Sequence, residues 1–295
     1  MRIFALALAA VLMLAAPAAA KPQDKYATNN GVKIHYVADG TGPLVVMIHG
    51  FPDYWATWKP LMAELNKAGY RTAALDTRGY NLSDKPEGVA AYAMPNLIGD
   101  VAAVIAAEGQ KNAIVIGHDW GAAIAWAVGG LHPERLRTLT ILSVPHPKAF
   151  ATALKSSDDQ KGRSSYIQLF RQEGKAEEVL LEDDGMRLRA MLTGTGAADE
   201  YARVMLEPGA LTAALNWYRA MEPGLVGGVD DITMPTMFVW STNDMALGRE
   251  GAEATGQYVK GPYRFEVLDG VSHWIPEEAP DQLNRLLVEH LSSAG

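Results

Sequence analysis

Ala113-Ile114-Val115-Ile116-Gly117-His118-Asp119-Trp120-Gly121-Ala122 is the stretch from which the rest of the chain is read. A short apolar run rich in β-branched residues is the mark of a strand buried on both faces. The small residues from Ala122 to Gly129 suit a helix that packs closely on a sheet. Between them lies Gly-x-Asp-x-Gly. Glycines on either side permit a turn too tight for side chains, and such a strand-to-helix turn thrusts the central side chain outward. That side chain is Asp119. Taken alone the pattern is weak evidence, because an Asp ahead of a helix is more often an N-cap than a reactive group.

Outward from this turn the chain alternates short apolar runs with longer helical patterns. Strands are expected at Val32–Val37, Leu44–Ile48, Thr72–Leu75, Leu139–Val144, Thr236–Trp240 and Arg264–Leu268, and helices at Ala56–Lys67, Pro95–Ala107 and Asp281–Leu291. Such alternation implies an α/β fold: a mostly parallel sheet with helices on both faces. Residues 147–224 break the rhythm with helical stretches and no convincing strand. They are expected to form a helical cap between two parts of a core, 21–146 and 225–295. The plainer reading of this segment is a few additional packing helices.

Ligands of open parallel sheets sit beyond the carboxyl ends of the strands. Polar residues that directly follow the apolar runs are therefore the candidates. Asp244 follows Thr236–Trp240, and His273 follows Arg264–Leu268. Each has a dull alternative as a turn or loop residue. Together with Asp119 they stand in the order nucleophile, acid, histidine, at three strand ends, which chance rarely produces. His49-Gly50-Phe51-Pro52 follows Leu44–Ile48, and Pro52 predicts a rigid turn with a cis bond after Phe51. The backbone N–H groups of Phe51 and Trp120 are then expected to form an oxyanion hole; the alternative is an ordinary strand-to-loop turn.

These motifs resemble the epoxide hydrolases of the α/β-hydrolase superfamily, whose fold carries an eight-stranded sheet and a helical cap insertion. The resemblance runs from about Lys25 to the C-terminus and includes Arg78-Gly79-Tyr80, Ser83-Asp84-Lys85-Pro86 and Gly270-Val271-Ser272-His273-Trp274. Asn216-Trp217-Tyr218-Arg219 is similar to the family's cap segment with a ring-opening tyrosine, which maps to Tyr218. The second such tyrosine maps to Tyr166, the only tyrosine between Pro147 and Glu200. Either could instead be an aromatic that packs the cap. Trp120, Phe51 and Trp217 are expected to contact substrate, and no cofactor or metal is implied.

The implied chemistry suits these residue types. A carboxylate is already ionised at neutral pH and attacks an sp³ carbon without a base. Two phenols donate to the departing oxygen, and His273, oriented by Asp244, activates water against the resulting ester. A haloalkane or haloacetate dehalogenase shares the triad. Phe51 and Trp120 replace the Asn and Arg that such enzymes present, which weakens that reading. A non-catalytic ligand-binding protein would favour a broken triad, and an ester hydrolase would favour Ser over Asp119.

The 295 residues carry 26 Lys and Arg against 34 Asp and Glu, a net charge of −8. That excess offers no footprint for nucleic acid or anionic lipid; the partners that the resemblance implies are a small epoxide and water. With 0 Cys, neither disulfides nor thiolate chemistry is available. Arg2, the apolar run Ile3–Ala16 and Ala18-Ala19-Ala20 form a signal-peptide pattern over residues 1–20. Export to the periplasm or beyond is the expectation. His35, His132, His146 and His290 read as structural or surface residues, whereas His49 and His118 flank the site.

Overall fold

The computed structural model describes residues 21–221 and 228–293. The expected signal peptide and the last residues of the expected cap, 222–224, lie outside the described residues. The core strands are β1 (Gln23–Asn29), β2 (Val32–Gly40), β3 (Leu44–Ile48), β4 (Arg71–Leu75), β5 (Ala113–His118), β6 (Leu136–Leu142), β7 (Thr236–Asn243) and β8 (Tyr263–Ser272). They form one 8-stranded sheet in the order β1-β2-β4-β3-β5-β6-β7-β8. Strand β2 is antiparallel to both β1 and β4, and all pairings from β4 to β8 are parallel.

Period-two alternation on the buried strands explains the two layers of core. In β3, Leu44, Val46 and Ile48 pack into one cluster, and Val45 and Met47 into another. The first is covered by α2 (Met94–Ala107) and α3 (Trp120–Leu131) through Leu97, Val101, Ile124 and Val128. The second is covered by α1 (Lys59–Lys67) and α12 (Pro280–Ser293) through Leu61, Leu65, Leu283 and Leu287. A helix on each face of a parallel sheet leaves the carboxyl ends of the strands as the open edge.

Two differences from the pattern reading have a plain physical cause. Strand β6 starts at Leu136 rather than Leu139, because Arg137 interrupts the apolar run while its neighbours stay buried. Strand β1 escaped the apolar criterion because it is an edge strand with a mostly exposed surface. Its sequence signal was the turn Asn30-Gly31, where both residues take positive φ (50° and 83°) and close a two-residue hairpin.

Among the described residues, six helices run between β6 and β7: α4 (Pro147–Ser156), α5 (Asp158–Arg163), α6 (Tyr166–Phe170), α7 (Lys175–Met191), α8 (Ala198–Leu206) and α9 (Ala210–Arg219). Helix α7 is interrupted at Glu182 to Gly185, where Asp183, Asp184 and Gly185 take positive φ. Beyond β7 come α10 (Arg249–Ala254) and, after β8, α11 (Ile275–Glu278). Among the described residues no helix is long and apolar enough to cross a membrane.

Candidate active site

The turn from β5 to α3 sets the geometry. Asp119 takes φ 52° and ψ −120°, a conformation L-residues rarely adopt and one that costs roughly 1–3 kcal/mol. Its neighbours show why the chain keeps it there. A Cβ on Gly121 would lie 1.9 Å from the Ile48 carbonyl oxygen, and one on Gly117 would lie 2.3 Å from the Gly121 carbonyl oxygen. Helix, turn and β3 are in backbone contact, so the Asp119 side chain has no room to turn inward. On the adjoining loop, a Cβ on Gly50 would meet the Asp119 Cβ at 2.3 Å.

The three strand-end residues converge. His273 Nε2 lies 3.4 Å from Asp119 Oδ2, and His273 Nδ1 bonds to Asp244 Oδ2 at 2.9 Å. Asp244 is fully buried, and its other oxygen accepts the Ala246 and Leu247 N–H groups at 2.8 and 2.9 Å. These bonds fix the acid, and the acid fixes the ring. Burial opposes a charged imidazole at His273, but the Asp244 and Asp119 carboxylates outweigh it and hold the ring well above its ordinary pKa. Burial likewise opposes a charged Asp119. The bond and charge of His273, then His118 and the Phe51 N–H, outweigh that and keep Asp119 below the usual carboxylate range.

The Phe51 N–H donates to Asp119 Oδ1 at 2.9 Å, and the Phe51–Pro52 peptide is cis. The Trp120 N–H belongs to the first helical residue of α3, where no intrahelical acceptor exists. The Phe51 N–H is thus bonded to the Asp119 carboxyl, and the Trp120 N–H next in the chain is left free of the helix. The Phe51 ring is not part of the cavity wall. It packs edge-on against Phe170 and Tyr218, with centroids 5.3 and 5.7 Å away, and so supports Tyr218 rather than touching the space beneath the cap.

That space is a cavity of about 130 Å³, walled in part by Asp119, Trp120, Tyr166, Trp217 and Tyr218. Tyr166 opens α6, and Tyr218 lies near the end of α9; their ring centroids are 6.1 Å apart. Burial raises both phenols above their ordinary pKa, and the Asp119 charge adds to it. Trp217 presents only its ring, because its indole N–H donates to the Arg78 carbonyl at 3.0 Å and fastens α9 to the loop after β4. The Arg78-Gly79-Tyr80 motif is therefore a support. Arg78 itself is buried in a two-pronged pair with Asp100, at 2.9 and 2.7 Å.

Several functional neighbours escaped the pattern reading. Helix α5 docks on the Asp244 loop: Arg163 donates to the Asp244 carbonyl, and Gln160 exchanges bonds with Ala246 O (2.9 Å) and Gly248 N (2.8 Å). Cap and acid loop thus hold one another in place. On the core side of the triad lie Asp53, His118 and Glu277. The His118 Nε2–H donates to the His273 carbonyl at 2.9 Å, leaving Nδ1 3.5 Å from Asp53 Oδ2. Both Asp53 oxygens are buried without a protein hydrogen bond, and burial together with the Asp119 charge pushes its carboxyl well above the usual range. Glu277 accepts from Thr57 at 2.5 Å and Tyr201 at 2.9 Å, and burial pushes it up to about 7. The available signal was position: Asp53 directly follows the His49-Gly50-Phe51-Pro52 motif, and Glu277 follows the His273 loop. His49 braces the turn after β3, taking the Thr77 N–H at Nε2 (3.0 Å) and giving Nδ1–H to Gly50 O (2.8 Å). Among the described residues no group of His, Asp and Glu is placed to hold a metal ion.

Comparison with known proteins agrees with this geometry. The profile of the α/β-hydrolase fold family matches residues 43–280. A Bacillus subtilis AB hydrolase superfamily protein, YfhM, is 38% identical over 280 residues, covering 91% of this chain and 98% of its own. Mouse epoxide hydrolase 4 is 32% identical over 274 residues, covering 88% of this chain and 76% of its own. The crystal structure of Bacillus megaterium epoxide hydrolase with an inhibitor superposes with a TM-score of 0.84 at 27% identity, over 91% of this chain and 100% of that one. The chain belongs to the α/β-hydrolase family, among relatives that include the epoxide hydrolases.

Proposed function

We propose that the protein hydrolyses epoxides to vicinal diols through an ester on Asp119. The observation that carries this reading is the pairing of an ionised carboxylate with two protonated phenols on the walls of one otherwise apolar cavity. An epoxide needs both. Asp119 attacks the ring carbon, the C–O bond breaks, and a phenol of Tyr218 or Tyr166 protonates the departing oxygen. The resting imidazolium of His273 then resupplies the phenol through solvent.

Alkylation also primes the second step. It removes the charge of Asp119, one of the two anions that hold His273 protonated, and so frees the ring as a base. His273 takes a proton from water, and the hydroxide adds to the ester carbonyl, whose oxyanion rests on the Phe51 and Trp120 N–H groups. Collapse returns Asp119 as carboxylate, and the remaining water proton leaves on the diol. His273 ends protonated, as it began.

A dehalogenase reading has less support. Among the described residues no Lys, Arg or His side chain lines the cavity to grip a haloacetate, and the Trp217 indole is committed to Arg78. The purified protein should convert styrene oxide to its diol while releasing neither halide from a haloacetate nor phenolate from a p-nitrophenyl ester. Halide or phenolate release without diol would replace the proposal.

A further inference from the structure

The cavity does not end at the reacting groups. Asp119, Trp120, Ala123 and Ala127 all lie on its wall, and the last three share one face of α3 at helical spacing. Eight residues at 1.5 Å each carry the cavity about 12 Å from the nucleophile. Ala123 and Ala127 thus carry an apolar wall well beyond the nucleophile, with only a methyl group at each position. The same wall includes Met94, Leu97, Phe150 and Val229 as well as the two alanines.

Beyond the reacting groups, the described side chains of the wall offer little to a polar substrate. Tyr92 reaches the wall, but its hydroxyl is spent on the Pro86 carbonyl at 2.8 Å. Pro145 and Pro147 have no N–H, and the carbonyl of Val144 between Ser143 and Pro145 already accepts the Trp126 indole at 2.9 Å. Uncommitted side-chain donors among the wall residues gather at the Asp119 end. A hydroxyl or charge further along would be desolvated without a partner, at a cost of several kcal/mol.

Resting on the epoxide reading, we propose that the substrate is a terminal epoxide with an unbranched, uncharged alkyl chain lodged along α3. Ala123 and Ala127 are the specificity-determining residues, because their single methyl groups leave the channel its width. Each methylene that enters is worth about 0.8 kcal/mol, close to a fourfold gain in kcat/KM.

The test is a homologous series from epoxybutane to epoxydodecane on the purified protein. The expected result is a steep rise in kcat/KM with chain length that flattens once the chain outgrows the channel, with ω-carboxylated chains far poorer. Ala127→Leu should cut the long-to-short ratio of kcat/KM at least tenfold, and Ala127→Val by less, which serves if the larger residue disturbs folding. Epoxide turnover that ignores chain length, a preference for the carboxylated chain, or a folded Ala127→Leu with an unaltered ratio would overturn the proposal. If no epoxide reacts, the reaction reading fails, and the channel is judged by primary alkanamides. Thermal stabilisation that grows from butanamide to dodecanamide supports it, and a flat response refutes it.

Discussion

Asp119 stands between two neighbourhoods that treat a carboxyl group in opposite ways. Towards the cap lie aromatic rings, two phenols and a channel with no charged side chain besides Asp119 among the described residues. Towards the core lie two further carboxyls, the buried Asp53 and the partly buried Glu277. Asp119 keeps its charge because His273 and the Phe51 N–H answer it. Asp53 has no such partner and is pushed towards the neutral form; Glu277 has only hydroxyl donors, from Thr57 and Tyr201. One side-chain type thus becomes either nucleophile or silent acid, according to the donors supplied. The silence matters, because a charged Asp53 would compete with Asp119 for His273.

The comparison can be broken most sharply on the cap side. Tyr218→Phe keeps the ring that Phe51, Trp120 and Phe170 pack against and removes only the donor. Ring opening should slow about a hundredfold or more in single-turnover kinetics, within the usual range for a general acid. An unchanged rate would remove the phenol from the mechanism.

On the core side the effects are on stability and depend on pH. Glu277 is held neutral by burial, with its pKa raised from 4.5 to about 7. A carboxyl raised in this way contributes its stability fully below the unfolded value, and the contribution is lost as pH rises through the folded one. Glu277→Gln stays neutral throughout. Its stability relative to the parent should therefore climb between about pH 5 and pH 8, reaching roughly 2–3 kcal/mol in denaturant titrations. Parallel profiles for the two proteins would contradict the assignment. Asp53→Asn should have the smallest effect, within about 1 kcal/mol and flat with pH, since one neutral group replaces another of the same shape. A difference that grows with pH would mean that Asp53 is charged.

Much of this could be read before any coordinates, for physical reasons that differ from place to place. The turn around Asp119 was legible because only glycine fits at positions 117 and 121, where backbones touch. Asp244 and His273 were legible because parallel strands end where ligands bind, so chain order carries spatial meaning. The neutral acids were not. Their state depends on which donors fail to reach them, and an absent contact leaves no motif. The same holds for the Trp217 indole, whose donor looks free in the sequence yet is committed to Arg78, a residue distant along the chain. Nor could the sequence show that the Phe51 ring would prop Tyr218 from behind.

The central claim is that Asp119 itself becomes covalently bonded to substrate and that His273 acts only afterwards. Replacing His273 by Gln and mixing the variant with saturating epoxide separates the two steps, with intact-protein and peptide mass spectrometry as the readout. The account predicts accumulation of one substrate mass on the peptide bearing Asp119, with almost no diol released. A carboxylate that remains unmodified, or diol produced at the parent rate, would contradict it.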